Sequence, residues 1–211
     1  MLRKFCLMFI ASVLVLSALS AAPALAATSG TAYGVYSLPS GEGVAHVQLN
    51  ILSVPFLGYQ CDLTVLSQFS DGILSLANLT TSMAFPVANM NWLLQTALVP
   101  GGTLGLGYGG TNLTIAHSFD PSFGISLNLQ LLKSGANGLD FMASAKTKAS
   151  YETQITGVGD LTVTASADVL KNAPFLKPGN VQAMLKNGDN YLGFSIGVAD
   201  GQKTLTLGHD F

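Results

Sequence analysis

The sequence predicts an all-β fold, an antiparallel up-and-down transmembrane β-barrel of about 10–12 strands. Three observations predict it. Apolar and polar residues alternate with a period of two through much of the chain. Turn-forming clusters of Gly, Pro, Asn, Asp and Ser interrupt that alternation at short intervals. Charge is scarce: Asp, Glu, Lys and Arg make up 9% of residues, against about 25% in ordinary soluble domains.

Residues 1–26 read as a secretory leader. Arg3 and Lys4 precede a long uncharged apolar stretch, and Ala24-Leu25-Ala26 supplies the small-residue cleavage pattern. Removing 26 residues from 211 leaves 185, enough for a single β-barrel domain over 27–211. That remainder carries seven lysines, no arginine and eleven acids, a net charge of −4. Such a balance offers no basic patch, so nucleic acid is not an expected partner. Cys61 is its one cysteine, which excludes an intramolecular disulfide.

The elements follow in order. Residues 31–39 and 43–54 form a first pair of strands around Ser40-Gly41-Glu42-Gly43. In the next, 57–69, the run from Tyr59 to Val65 alternates strictly, and Asp71-Gly72 then gives a hairpin signal into 72–85. Residues 88–99 fit a helical face as well as a strand face, and flanking strand-like segments favour strand. Pro100-Gly101-Gly102 separates this from 102–109, and Gly109-Gly110 separates 102–109 from 111–119. After Asp120-Pro121, segment 122–133 sets Phe123, Ile125, Leu127 and Leu129 against Ser122, Gly124, Ser126, Asn128 and Gln130. Residues 139–155 and 159–170 lie on either side of the turn at Gly157–Asp160. Lys171 to Asp189 reads as the longest connection, with Pro174, Pro178 and a possible two-turn helix from Asn180 to Gly188. Residues 190–199, the Asp200-Gly201 turn and 202–211 complete twelve segments. The drawing has a flaw: with both ends of the chain on the periplasmic side, the long connection falls there too, where turns are normally short.

An exported, charge-poor, antiparallel chain has few resting places. Only helices and closed barrels satisfy every backbone polar group within lipid. No run after the leader resembles a spanning helix, because the least polar one, Ser82 to Val99, carries Pro86, Asn89, Asn91 and Gln95. Outer-membrane lipid is therefore an expected partner. The last stretch, TLTLGHDF, alternates up to a final Phe211. It resembles the C-terminal strand of bacterial outer-membrane β-barrel proteins, matching at Leu205, Leu207 and Phe211. His209 stands where an aromatic is commoner, and Lys203 places a charge on the same side. The resemblance implies an outer-membrane location and recognition of this strand by the barrel-assembly machinery.

Alternation assigns faces. Ala45, Val47, Leu49, Ile51, Leu63, Val65, Leu127, Leu129, Val163, Phe194 and Ile196 go outward. His46, Gln48, Asn50, Gln60, Asp62, Lys146, Lys148, Glu152 and Asp168 go inward as lumen-lining residues. Tyr59, Trp92, Tyr151 and Phe211 are expected at membrane interfaces. The lysines either pair with Asp62, Asp168 or Glu152 in a filled interior, the preferred reading, or form a weakly charged constriction. No catalytic, cofactor or metal motif is expected. His117 and Ser118 point to opposite faces, and His46 with Asn50 lacks an identifiable nucleophile. The glycines at 105–110 suit a strand bend or bulge better than a phosphate loop, and the sequons at Asn78 and Asn112 fall inside strands. The expected function is a structural barrel or narrow passive solute path. A soluble secreted β-sandwich and an outer-membrane lipid-modifying enzyme remain as alternatives.

Overall fold

The computed structural model describes residues 29–38, 40–56, 59–70, 73–100, 105–135, 138–169 and 176–211. The expected leader lies outside them. The strands are β1 (Gly30–Leu38), β2 (Gly43–Phe56), β3 (Tyr59–Ser70) and β4 (Ile73–Val87). Next come β5 (Met90–Pro100), β6 (Leu106–Ser118), β7 (Phe123–Gly135) and β8 (Gly138–Ile155). The series ends with β9 (Gly159–Val169), β10 (Leu176–Asn187), β11 (Asn190–Gly197) and β12 (Lys203–Asp210). Each strand pairs antiparallel with its neighbour in sequence, and β12 pairs with β1, so a single sheet closes on itself. Closure leaves no strand edge unpaired. A two-sheet sandwich is thereby excluded.

Turn chemistry works as the sequence implies. Asp120 Oδ1 accepts hydrogen bonds from the Ser122 and Phe123 amides, each 2.7 Å long, which bends the chain at Pro121. Gly41 turns with φ +76° and donates to the Ser37 carbonyl at 3.0 Å. The β4–β5 turn consists of Ala88 and Asn89, both at positive φ, as a type I′ hairpin requires. It lies just beyond Pro86-Val87, the gap left between the predicted strands.

Twelve strands falls within the predicted range of about 10–12 and equals the number of segments drawn, reached with two compensating corrections. Residues 106–118, divided in the expectation between segments 102–109 and 111–119, form one strand, β6. Gly109 marks a bulge, since Ala97 pairs with Gly110 while Leu98 pairs with Tyr108. A Cβ on Gly109 would come 2.8 Å from Val99 Cγ1 and 3.1 Å from the Ala97 oxygen, so glycine permits close approach where it seemed to mark an end. Conversely, the expected long connection contains strand β10 instead of a helix. Residues from Val181 to Lys186 pair with both β9 and β11. Pro178 and Gly179 fall at a register shift, so the residues that suggested a break only bend the strand. Gly188, at φ +58°, serves a tight β10–β11 turn. Val169 and Leu176, which end β9 and begin β10, pair at the end opposite Gly30 and Phe211, which removes the parity flaw.

The closing seam fits residue to residue. Gly30 and Phe211 exchange two backbone hydrogen bonds of 2.9 Å. The Phe211 ring occupies space that a side chain on Gly30 would need. Among the described residues the buried apolar ones are Ala32, Ala45 and Val47; they share one face of β1 and β2, where Ala32 packs on Val47 with Leu49 beside them.

Candidate functional site

Residues paired across an antiparallel ladder share a face, so the register divides the whole sheet into two. Tracing pairs around the barrel gives one face rich in amides, hydroxyls and charges. It carries His46, Gln48 and Asn50 on β2, then Gln60 and Asp62 on β3. It continues through Ser82, Gln95, Asn112 and Gln130 on β4 to β7. Lys146, Lys148 and Glu152 of β8 and Asp168 of β9 lie on this same face. The sequence-predicted polar residues are thus brought onto one continuous surface.

The other face is apolar. Ile125, Val163, Leu192, Phe194 and Ile196 lie on it and are exposed. Ile51, expected with them, is instead the unpaired residue of a bulge between Asn50 and Leu52. Near the Gly30–Phe211 end this face carries an aromatic arc. Tyr59 meets Phe85 at 5.8 Å, and Phe85 meets Trp92 at 6.1 Å between ring centroids. His117 abuts Phe119 at 4.7 Å, and Phe119 stacks on Phe123, which is in register with Tyr151. Leu205 and Leu207 are in register with Tyr36 and Gly34 on the seam side, and with Phe194 and Leu192 on the other.

Three groupings shape the polar face. The first is charged. Lys146 Nζ lies 3.4 Å from Asp168 Oδ1, with 57% and 42% of their side-chain surfaces exposed. Asp168 is also in register with Lys177, and Lys133 with Asp140. Lys186 reaches past β11 to Asp210 on β12 at 2.6 Å, and Thr31 Oγ1 donates to the other carboxylate oxygen at 2.8 Å. Such a reach over an intervening strand suits a concave wall, where side chains converge.

The second grouping is uncharged. Gln95, Asn112 and Gln130 form a row across β5, β6 and β7, flanked by Ser82 and Ser144. Asn128 Nδ2 donates to Thr114 Oγ1 at 2.8 Å, and Ser144 Oγ donates to Gln130 Oε1 at 3.3 Å. Asp62 accepts from Ser53, and Gln60 joins that pair. The third is a cross-strand row of His46, Tyr33, Gly208 and Tyr191. Tyr33 stacks on His46 with centroids 4.9 Å apart. The Tyr191 ring lies across Gly208, in space a side chain there would fill.

Sequence reasoning had not singled out Tyr33, Lys177, Lys186, Tyr191 or Asp210 for this face. The period-two signal was present for Tyr33, Tyr191 and Asp210. It was hidden for Lys177 and Lys186, because the prolines of 171–189 suggested a loop.

Among the described residues the histidines form no catalytic grouping. His46 Nδ1 is buried with no hydrogen-bond partner among the described residues. His117 Nδ1 lies 3.2 Å from the Asn89 carbonyl, and His209 Nδ1 lies 3.1 Å from Asn190 Oδ1. Among the described residues, no group of three or more His, Cys, Asp or Glu could hold a metal ion.

No protein-family model matches the chain. No curated protein matches it in sequence. Among solved structures it is similar to the KdgM porin in complex with disordered oligogalacturonate, with a TM-score of 0.54, 8% identity and coverage of 87% of this chain and 98% of that one. A second KdgM porin structure gives 0.53 and 10% over the same shares. The likeness to these porins is one of fold, and in this chain that fold is a closed antiparallel barrel of twelve strands.

Proposed function

We propose that the chain is a small outer-membrane barrel whose polar face lines a passive solute path and whose apolar face meets lipid. One observation carries this reading: the polar face is continuous around a closed sheet, and the opposite face presents exposed Ile, Leu, Val and Phe. In water that arrangement is costly, and in a bilayer it is the favourable one. The aromatic arc supports an interfacial belt at one membrane surface. Half-exposed Lys146 and Asp168 favour a wet interior over a filled one. We read the chain as exported through its leader, as non-enzymatic, and as recognised by the barrel-assembly machinery through Leu205, Leu207 and Phe211. The KdgM complex contains oligogalacturonate, a polyanion. Only the path is carried over from it, because the lysines here are matched by carboxylates.

The test is reconstitution of purified barrel into planar bilayers, with gel mobility compared before and after boiling. Stepwise conductance and a boiling-dependent shift are expected. A shift without conductance would leave a purely structural barrel. Recovery in the aqueous fraction without detergent would overturn the lipid-facing assignment.

A further inference from the structure

Building on the solute path, we propose that the passage favours neutral, hydroxyl-rich solutes of the sugar type over ions of either sign. Three independent features of the polar face converge on that solute class.

The first is charge compensation. Lys146 and Lys177 both flank Asp168, Lys186 holds Asp210, and Lys133 is in register with Asp140. Lys148 shares its strand and face with Glu152. With Asp62 and Asp160 added, five lysines face six carboxylates among the described residues, a formal net of −1. Charge-selective pores use rings of a single sign. Alternating signs on adjacent strands largely cancel at the distance of a passing ion, so neither cation nor anion gains much to offset lost hydration.

The second is the uncharged wall. No Asp, Glu, Lys or Arg occurs from Gly72 to Phe119, so β4, β5 and β6 contribute no charge. The Gln95–Asn112–Gln130 row offers amide donors and acceptors side by side. A sugar hydroxyl both donates and accepts, and it can exchange water for such a row at little cost.

The third is Tyr191. With no side chain at Gly208, its ring lies against the wall, next in register to Lys186. A ring held this way offers a flat surface to the apolar C–H face of a sugar, while the neighbouring Lys186–Asp210 pair can take hydroxyls. Tyr191 is thus assigned as a specificity-determining residue.

The experiment uses the full barrel in planar bilayers and in liposomes. Under a KCl gradient, the cation-to-anion permeability ratio should lie within about twofold of unity. Glucose should enter liposomes faster than the similarly sized gluconate or glucosamine. Raffinose should partly block the ion current. That block should weaken several-fold in Tyr191→Leu and persist in Tyr191→Phe, which keeps the ring. A ratio beyond about tenfold in either direction, faster entry of gluconate or glucosamine, or a raffinose block indifferent to Tyr191 would overturn the proposal while leaving a channel in place. Absence of any conductance or swelling would instead remove the channel itself, and the selectivity with it.

Discussion

Replacing Asp168 by Asn should make the barrel anion-selective. In the wild type the carboxylate lies 3.4 Å from Lys146 Nζ and in register with Lys177 on its other side. The substitution leaves two ammonium groups with an uncharged residue between them. Two unit charges 4 Å apart interact by about 1 kcal/mol in water-like surroundings. That corresponds to about a fivefold gain in local anion concentration. Screening at ~0.1 M salt has a length of about 10 Å and removes little of it at this range. The chloride-to-potassium permeability ratio should therefore rise by about two- to fivefold over wild type. The assay is the reversal potential across a planar bilayer under a KCl gradient. Lys146→Gln should move it the opposite way. Barrel stability should change little, because exposed ion pairs contribute about 0–1 kcal/mol. No shift in Asp168→Asn, or a shift of the same sign in both variants, would refute the placement of this pair on the conducting surface.

Deleting Phe211 removes both backbone hydrogen bonds to Gly30 and the ring that covers it, a loss of about 1–3 kcal/mol at the seam; the boiling-sensitive band should weaken and the outer-membrane yield should fall. Gly159→Ala should lower the urea midpoint in detergent more than Gly157→Ala. Both residues have positive φ, but a Cβ on Gly159 collides with the Lys186 carbonyl whereas one on Gly157 meets nothing within 4 Å. The added cost is about 1–3 kcal/mol, and equal midpoints would contradict the β9–β10 register. Cys61 is in register with Met83 on the apolar face, and Asp62 with Ser82 on the polar one. A charged, membrane-impermeant thiol reagent should spare Cys61 in liposomes and reduce the conductance of a Cys61→Ala, Asp62→Cys variant. The reverse pattern would invert the face assignment.

The all-β class, the two faces and most of the turns were readable from the chain because they depend on local rules. Side chains alternate across any strand, so Phe123 to Gln130 reveals its two faces without knowledge of its neighbours. Asp120-Pro121 and Asp200-Gly201 turn the chain through their own backbone preferences and side-chain oxygens. Scarcity of charge pointed to lipid before any strand was placed. What the sequence alone could not decide were the features that depend on a partner strand. In isolation Gly109 reads equally as a segment end or as a bend or bulge within a strand. Pairing with β5 makes it a bulge, because the missing side chain admits Ala97 and Val99. Pro178 and Gly179 read as a loop, yet pairing of Val181 to Lys186 on both sides supplies hydrogen bonds that local preference did not foresee. The Lys186–Asp210 pair joins strands that are not neighbours, and Tyr191 lies over a glycine on another strand. Pairing of β10, β11 and β12 brings those residues near one another, and the curvature that lets Lys186 and Asp210 converge over the strand between them belongs to the barrel and to no single segment.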